Sequence, residues 1–309
     1  MIGNYPTTGS VRLADPANAP TVEIVRLASR PVLWLEQAKG LDVVAKPVAT
    51  AVSKVVRRSR SLHNLLSGTP FGHPLHPVLT DVTIGAFTMG TFLDLVGGRR
   101  AAPAADLLVG VGAASAVPTA LTGANDWSDT TGGSSRVGLV HAAANSTALT
   151  FFILSLLGRR SSRSRRIALR LLGLGALSFG GDLGGHLAYT RAVGVNHAAF
   201  ERLPKDWTPV MADAELDEGV PRGVTVDGVP LLLVRDGGQV RALAGTCSHL
   251  GGPLHEGEVR DGCVTCPRHG STFRLADGEV VAGPATAQQP VLETRVQGEQ
   301  IEVRAQPTA

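Results

Sequence analysis

Cys247-Ser-His249-Leu-Gly-Gly-Pro-Leu-His255 is followed, eleven residues after His255, by Cys266-Pro-Arg-His269-Gly-Ser271. Each half-site offers one thiolate and one imidazole. A [2Fe–2S] cluster needs this donor set when its two irons are ligated differently, one by two Cys and the other by two His. Tetrahedral zinc also takes Cys and His at short spacing, and Cys263 to Cys266 is itself a C-x-x-C pair. Two features favour iron–sulfur. A single residue separates Cys247 from His249, whereas zinc ligands commonly stand two to four residues apart. Gly251, Gly252, Pro253, Pro267 and Gly270 let the backbone wrap closely and aim N–H groups at sulfur. His255 reads as an ordinary loop histidine.

At these residues the chain resembles the Rieske iron–sulfur family. The resemblance implies that Cys247 and Cys266 are the thiolate ligands and His249 and His269 the imidazole ligands. It also implies that the imidazoles lie near the surface, exposed to redox partners, with N–H groups near Gly251 and Gly270 bonding the sulfurs. Quinol-oxidising members carry a further Cys in each cluster loop, joined as a disulfide. Gly252 and Arg268 stand in those places here, so the domain looks more like the ferredoxin type. That type implies a potential toward the low end of the roughly −150 to +300 mV Rieske range. A Ser271 hydroxyl bonded to a cluster sulfur would raise it. Cys263, in an apolar run, is expected as a buried free thiol.

Short alternating runs surround the two half-sites: Val224 to Val226, Val229 to Val234, Gln239 to Leu243, Cys263 to Thr265, Val291 to Val296 and Gln300 to Val303. Asp227-Gly, Asp236-Gly-Gly, Asp261-Gly, Asp277-Gly and Gln297-Gly separate them, as tight hairpins require. Residues 204–309 are therefore expected to form a small antiparallel all-β domain with both half-sites on neighbouring loops.

The rest of the chain is different in kind. Of 309 residues 43% are hydrophobic and only 4% aromatic, an apolar balance that predicts membrane segments. Residues 204–309 hold nine Lys+Arg against fifteen Asp+Glu, whereas residues 1–203 hold twenty against eleven. The basic groups lie between long apolar runs without aromatic stacking positions, which argues for membrane topology and against a nucleic-acid partner.

Residues 1–30 are polar and Pro-rich, with no apolar core of a cleaved signal, and read as a loose tail. From Leu35 to Leu66, apolar residues at helical spacing oppose Lys46, Lys54, Arg57, Arg58 and Arg60. This predicts an amphipathic helix on a bilayer surface or packed on its own domain, with Pro47 a candidate break. Four apolar stretches follow, near residues 78–97, 104–122, 137–157 and 167–190, each about the length that spans a bilayer. Gly, Ala, Ser and Thr within them suit close helix packing. The entry Gly72-His-Pro-Leu-His-Pro-Val-Leu-Thr-Asp81, the later Asp126-Trp127 and His141 resemble a family of small bacterial four-helix membrane domains of unassigned function.

The fold expected is thus α+β and multidomain, a four-helix transmembrane bundle followed by the β domain. Its divisions are 1–72 (tail and amphipathic helix), 73–197 (membrane domain) and 204–309 (Rieske domain). Arg99, Arg100, Arg159, Arg160, Arg163, Arg165 and Arg166 occupy the first and third links, and the positive-inside rule makes those links cytoplasmic. The Rieske domain then faces outward from a bacterial cell membrane, although the positive groups at 54–60 pull the other way. Ser164-Arg-Arg-Ile-Ala-Leu-Arg170 resembles a twin-arginine signal, which exports folded domains. Asp94 and Asp106 read as interfacial.

Alternation of the spans places His76, His141 and His186 at one depth near the outer side. Ionisable groups in spans are functional candidates, and these histidines suit axial ligation of haem b or a quinone site. The bland alternative is helix capping, with Asp182 and His186 satisfying one another. The function expected is single-electron transfer between a membrane, quinone or haem donor and a redox partner protein. An electron-supplying component of an oxygenase-type system and a redox sensor are the competing readings. A complete oxygenase would need a mononuclear iron in a large α/β domain, for which the apolar two-thirds leaves no room.

Overall fold

The computed structural model describes residues 31–158 and 162–306. The expected tail at 1–30, and Arg159 and Arg160 of the third link, lie outside the described residues. The predicted amphipathic helix is two helices, α1 (Asp42–Val56) and α2 (Arg60–Ser67). Pro47 does not break it. It lies inside α1, which gives up one backbone hydrogen bond there and continues. The break falls at Arg57 to Ser59, where the Ser59 hydroxyl accepts the Leu62 N–H at 3.2 Å and caps α2. Val43, Val44, Val48 and Val55 on α1 are exposed, an apolar stripe suited to a bilayer surface. Asp42 fixes the start of α1 by accepting Arg136 Nε at 2.6 Å and Nη2 at 3.0 Å.

Four helices are long and apolar enough to cross a membrane: α3 (Leu75–Val96), α4 (Gly98–Ser128), α5 (Gly132–Leu157) and α6 (Arg163–Gly185), the last continuing through a π turn at His186–Thr190. Val82, Met89, Phe92, Leu107, Val117 and Phe179 face outward, as lipid contact requires. Inside, Phe87 and Phe152 stack with ring centroids 3.9 Å apart. Gly112 and Gly173 make room for them, since a Cβ at either would stand 2.7 Å or 3.0 Å from a ring.

The helices outrun the predicted spans. Most of the Gly97 to Pro103 separator is the first turns of α4, and Asn125 to Trp127 is its last turn rather than a loop. Trp127 Nε1 donates to the Ser135 carbonyl at 2.8 Å and closes the corner into α5. Asp94 is not interfacial. It is fully buried and accepts Arg166 through both carboxylate oxygens at 2.9 and 2.8 Å, and Arg170 at 3.1 Å. Arg170 also bonds Asp106. Charge inside an apolar bundle persists only when paired, so the last two arginines of the twin-arginine-like stretch serve the packing of three spans.

The C-terminal region is an antiparallel β domain of two sheets. One has six strands in the order β1 (Thr208–Ala212), β10 (Gln300–Ala305), β9 (Val291–Gln297), β4 (Gln239–Ala244), β3 (Val229–Asp236) and β2 (Arg222–Val226). The other runs β5 (Glu258–Arg260), β6 (Cys263–Thr265), β7 (Thr272–Arg274) and β8 (Val280–Ala282). Leu232 and Val234 point into the core between the sheets, with Val264, Phe273 and Leu275, while Leu231 and Leu233 pack behind with Ile301 and Val303. This two-sided burial explains the continuous apolar run of β3. Asp227-Gly228 and Asp261-Gly262 close two-residue hairpins with all four residues at positive φ.

Candidate metal centre

Two loops at one end of the β domain carry the predicted donors, one after β4 and one between β6 and β7, and they share a backbone design. In the first, Gly251 N–H donates to the Cys247 carbonyl (2.9 Å) and Cys247 N–H to the Gly252 carbonyl (2.8 Å). In the second, Gly270 N–H donates to the Cys266 carbonyl (3.1 Å) and Cys266 N–H to the Ser271 carbonyl (2.8 Å). Both turns need a residue at positive φ, and Gly251 (67°) and Gly270 (82°) supply it. Each turn folds back over its cysteine and carries its histidine two or three residues along.

Cys247 and Cys266 are buried and lie within reach of one shared proton. That hydrogen bond holds Cys266 down to about 6 and pushes Cys247 up. Cys247 Sγ is met by the N–H groups of His249 and Leu250, and Cys266 Sγ by those of Arg268 and His269. These are the sulfur-directed amides. They lie beside Gly251 and Gly270, whose own N–H groups are used within the turns. The rings of His249 and His269 stand edge to face with centroids 5.1 Å apart. Burial lowers both imidazoles, His249 to about 4. His249 Nδ1 is buried with no hydrogen-bond partner among the described residues. An orphaned buried ring nitrogen on a histidine two residues from a buried cysteine fits a metal ligand, because a buried ring nitrogen otherwise finds a partner.

The surrounding residues agree with this fit. A Cβ on Gly252 would stand 2.7 Å from Cys266 Sγ and 3.3 Å from Arg268 Cδ, so the loops meet directly where the quinol-oxidising branch has its disulfide. Ser271 is fully buried and its hydroxyl accepts the Ala285 N–H at 3.0 Å, leaving its proton to donate toward the centre. Cys263 is a free, partly buried thiol on β6, and burial raises it. His255 lies on a 3₁₀ turn packed against Gly223.

Residues 206–296 match the Rieske [2Fe–2S] domain family, and residues 72–197 match a family of predicted membrane proteins, DUF2231. The anthranilate 1,2-dioxygenase ferredoxin subunit of Burkholderia cepacia is 33% identical over 98 residues, covering 32% of this chain and 91% of the ferredoxin. The chain belongs to the Rieske family. Mouse (Mus musculus) apoptosis-inducing factor 3 is 32% identical over 91 residues, of which this chain spans only 15% of that protein's length. The ferredoxin of carbazole 1,9a-dioxygenase from Nocardioides aromaticivorans IC177 is 29% identical, covers 33% of this chain and 100% of its own, and superposes with a TM-score of 0.32.

The histidine edge of this Rieske domain faces the membrane domain, and both imidazoles are only partly exposed, against the expectation of imidazoles open to redox partners. Asp129, directly after α4, brings its Oδ2 to 3.8 Å from His249 Nε2. The clasp is continued by Arg60 Nη2 to Thr272 Oγ1, Thr69 Oγ1 to the Ala285 carbonyl, Gly283 N–H to Asn64 Oδ1 and His197 N–H to the Ser248 carbonyl, each at 3.0 Å. Nothing in the local sequence marked Asp129, because its partner lies more than a hundred residues away.

The three membrane histidines do not form one set. His76 and His141 face each other, ring centroids 6.5 Å apart. His76 Nδ1 lies 3.0 Å from the Thr119 carbonyl and His141 Nδ1 2.7 Å from the Gly180 carbonyl. His186 instead bonds Glu36 through Nε2 at 2.9 Å. Alternation of the spans carries no information on the side of α6 on which it lies. Its expected partner Asp182 is exposed.

Proposed function

We propose that this is a membrane-anchored Rieske protein that passes single electrons, with Cys247, Cys266, His249 and His269 holding its [2Fe–2S] cluster. The observation that carries this reading is the convergence of two buried cysteines and two partly buried imidazoles, one with an unpartnered Nδ1, on paired loops. When bound, the cluster supplies a one-electron couple. The chain's own part is to strip water from the site, aim four amides at the sulfurs and hold the imidazoles in place. Such amides stabilise negative charge on sulfur and so favour the reduced state.

The proposed division is 1–72, 73–197 and 204–309, with the last region extracytoplasmic as the arginine-rich first and third links argue. Protease added to intact cells would then digest the Rieske domain; digestion only after lysis would contradict the orientation. Within the spans, the facing pair His76 and His141 supports a haem b or quinone site, each imidazole pinned through Nδ1 by a main-chain carbonyl, with Asn145 Nδ2 also 3.2 Å from His141 Nε2. The dioxygenase ferredoxin relatives favour a second reading, electron supply to an oxygenase-type partner. The covered histidine edge favours exchange through the membrane domain instead.

Iron, acid-labile sulfide and pyridine haemochrome assays on full-length, detergent-extracted protein test the cofactors. The expected result is two irons and two sulfides per chain, with a Soret band if the histidine pair binds haem. Zinc without sulfide would overturn the electron-transfer reading.

A further inference from the structure

Asp129 belongs to the membrane domain and lies beside two of the candidate cluster ligands. Its side chain is 1% exposed. Oδ1 accepts Arg57 Nη2 at 2.8 Å, and Arg57, on the far side, is 41% exposed. Oδ2 is buried, has no hydrogen-bond partner among the described residues, and faces His249 Nε2 at 3.8 Å. One donor atom from each of Asp129, His249 and His269 lies within 4.8 Å of the other two. The main-chain carbonyl of Asp129 also lies against the His269 ring.

A buried carboxylate oxygen left unsatisfied is destabilising, so its position calls for a compensating donor. The ring of His249 offers one. Its Nδ1 is the orphan, so a metal bound there would leave the ring's proton on Nε2, the atom that faces Oδ2. Metal-bound imidazoles regularly give their second N–H to a carboxylate or a main-chain carbonyl. Asp129 presents both, a carboxylate to His249 and a carbonyl to His269.

We propose that Asp129 is a positioning residue for the cluster, contributed by the membrane domain, which orients both imidazoles and holds the reduction potential down. The inference rests on the ligand assignment above. Reduction adds an electron near the histidine-bound iron, and a buried negative charge beside those histidines opposes it. The potential of this Rieske domain is then set in part by a residue that ferredoxins lacking the membrane domain do not possess. Arg57 acts in the opposite sense by neutralising part of the charge.

The test is a potentiometric titration followed by low-temperature EPR on the full-length holoprotein. Asp129→Asn should raise the midpoint by about 59 mV, a tenfold shift in the one-electron equilibrium. Arg57→Gln, which leaves the carboxylate uncompensated, should lower it. The opposed signs separate charge from loose folding, and Arg57→Gln keeps the test open if Asp129→Asn does not fold. A normal Rieske signal with the same midpoint in both variants, or shifts of the same sign, overturns the role of Asp129 alone. No Rieske signal from the unsubstituted protein overturns the ligand assignment as well.

Discussion

Gly252 shows how tightly single atoms are specified here. Its missing Cβ is replaced by the Cys266 sulfur, 2.7 Å from where that carbon would be. Gly252→Ala therefore forces the two cluster loops apart, an overpacking of about 1–3 kcal/mol. It should lower the iron-to-protein ratio on purification while the far-ultraviolet circular dichroism is unchanged; full iron retention would contradict the contact. The convergence of the four candidate ligands was legible in the sequence because their signal is local. Cys-x-His and Cys-x-x-His spacing, with a glycine four residues after each cysteine, states the chemistry within a few positions. Asp129 was not legible, since its role exists only when two domains meet. His186 shows the other limit, because depth follows from counting along a span but direction depends on packing.

At the scale of elements, the strands with clear alternation and two-residue turns were readable, and β2, β3, β4, β6, β9 and β10 fall on the predicted runs. β5, β7 and β8 are three residues each, as is β6, but only β6, directly after the Asp261-Gly262 turn and with Cys263 and Val264 adjacent, offered a local signal. The membrane helices were readable as spans but not in extent, because Ala-rich and Gly-rich polar ends continue as helix beyond the apolar stretch. Helix α1 depends on a single fork for its place. The Arg136 guanidinium beside Asp42 holds that carboxyl down to about 2, below its usual 3.8. A lowered carboxylate stabilises the folded state fully above its unfolded pKa and loses that contribution as pH falls through the folded one. Proteolysis in the α1 segment should therefore be slow above about pH 4 and rise as acid approaches pH 2. In Asp42→Asn it should be rapid at every pH; cleavage of both proteins with the same pH profile would contradict the anchor.

The whole molecule is held at two levels, one buried in the bundle and one at the cluster. In the bundle, Asp94 binds Arg166 and Arg170 between α3 and α6, and Arg170 reaches Asp106 on α4. Removing one partner of a buried set costs about 3–5 kcal/mol, because the remaining charge is stranded. Asp94→Ala should thus lower the detergent-solubilised unfolding temperature far more than Asp182→Ala, which alters an exposed position. Equal losses would argue against the network. At the other level, the Rieske domain is clasped to the membrane domain by its histidine edge. The most direct measurement is low-temperature EPR of the chemically reduced full-length protein. A rhombic signal with the low average g of a histidine-ligated [2Fe–2S] cluster, lost in both His249→Cys and His269→Cys, is expected. A signal with the higher average g of an all-cysteine cluster, or none from iron-replete protein, would contradict it.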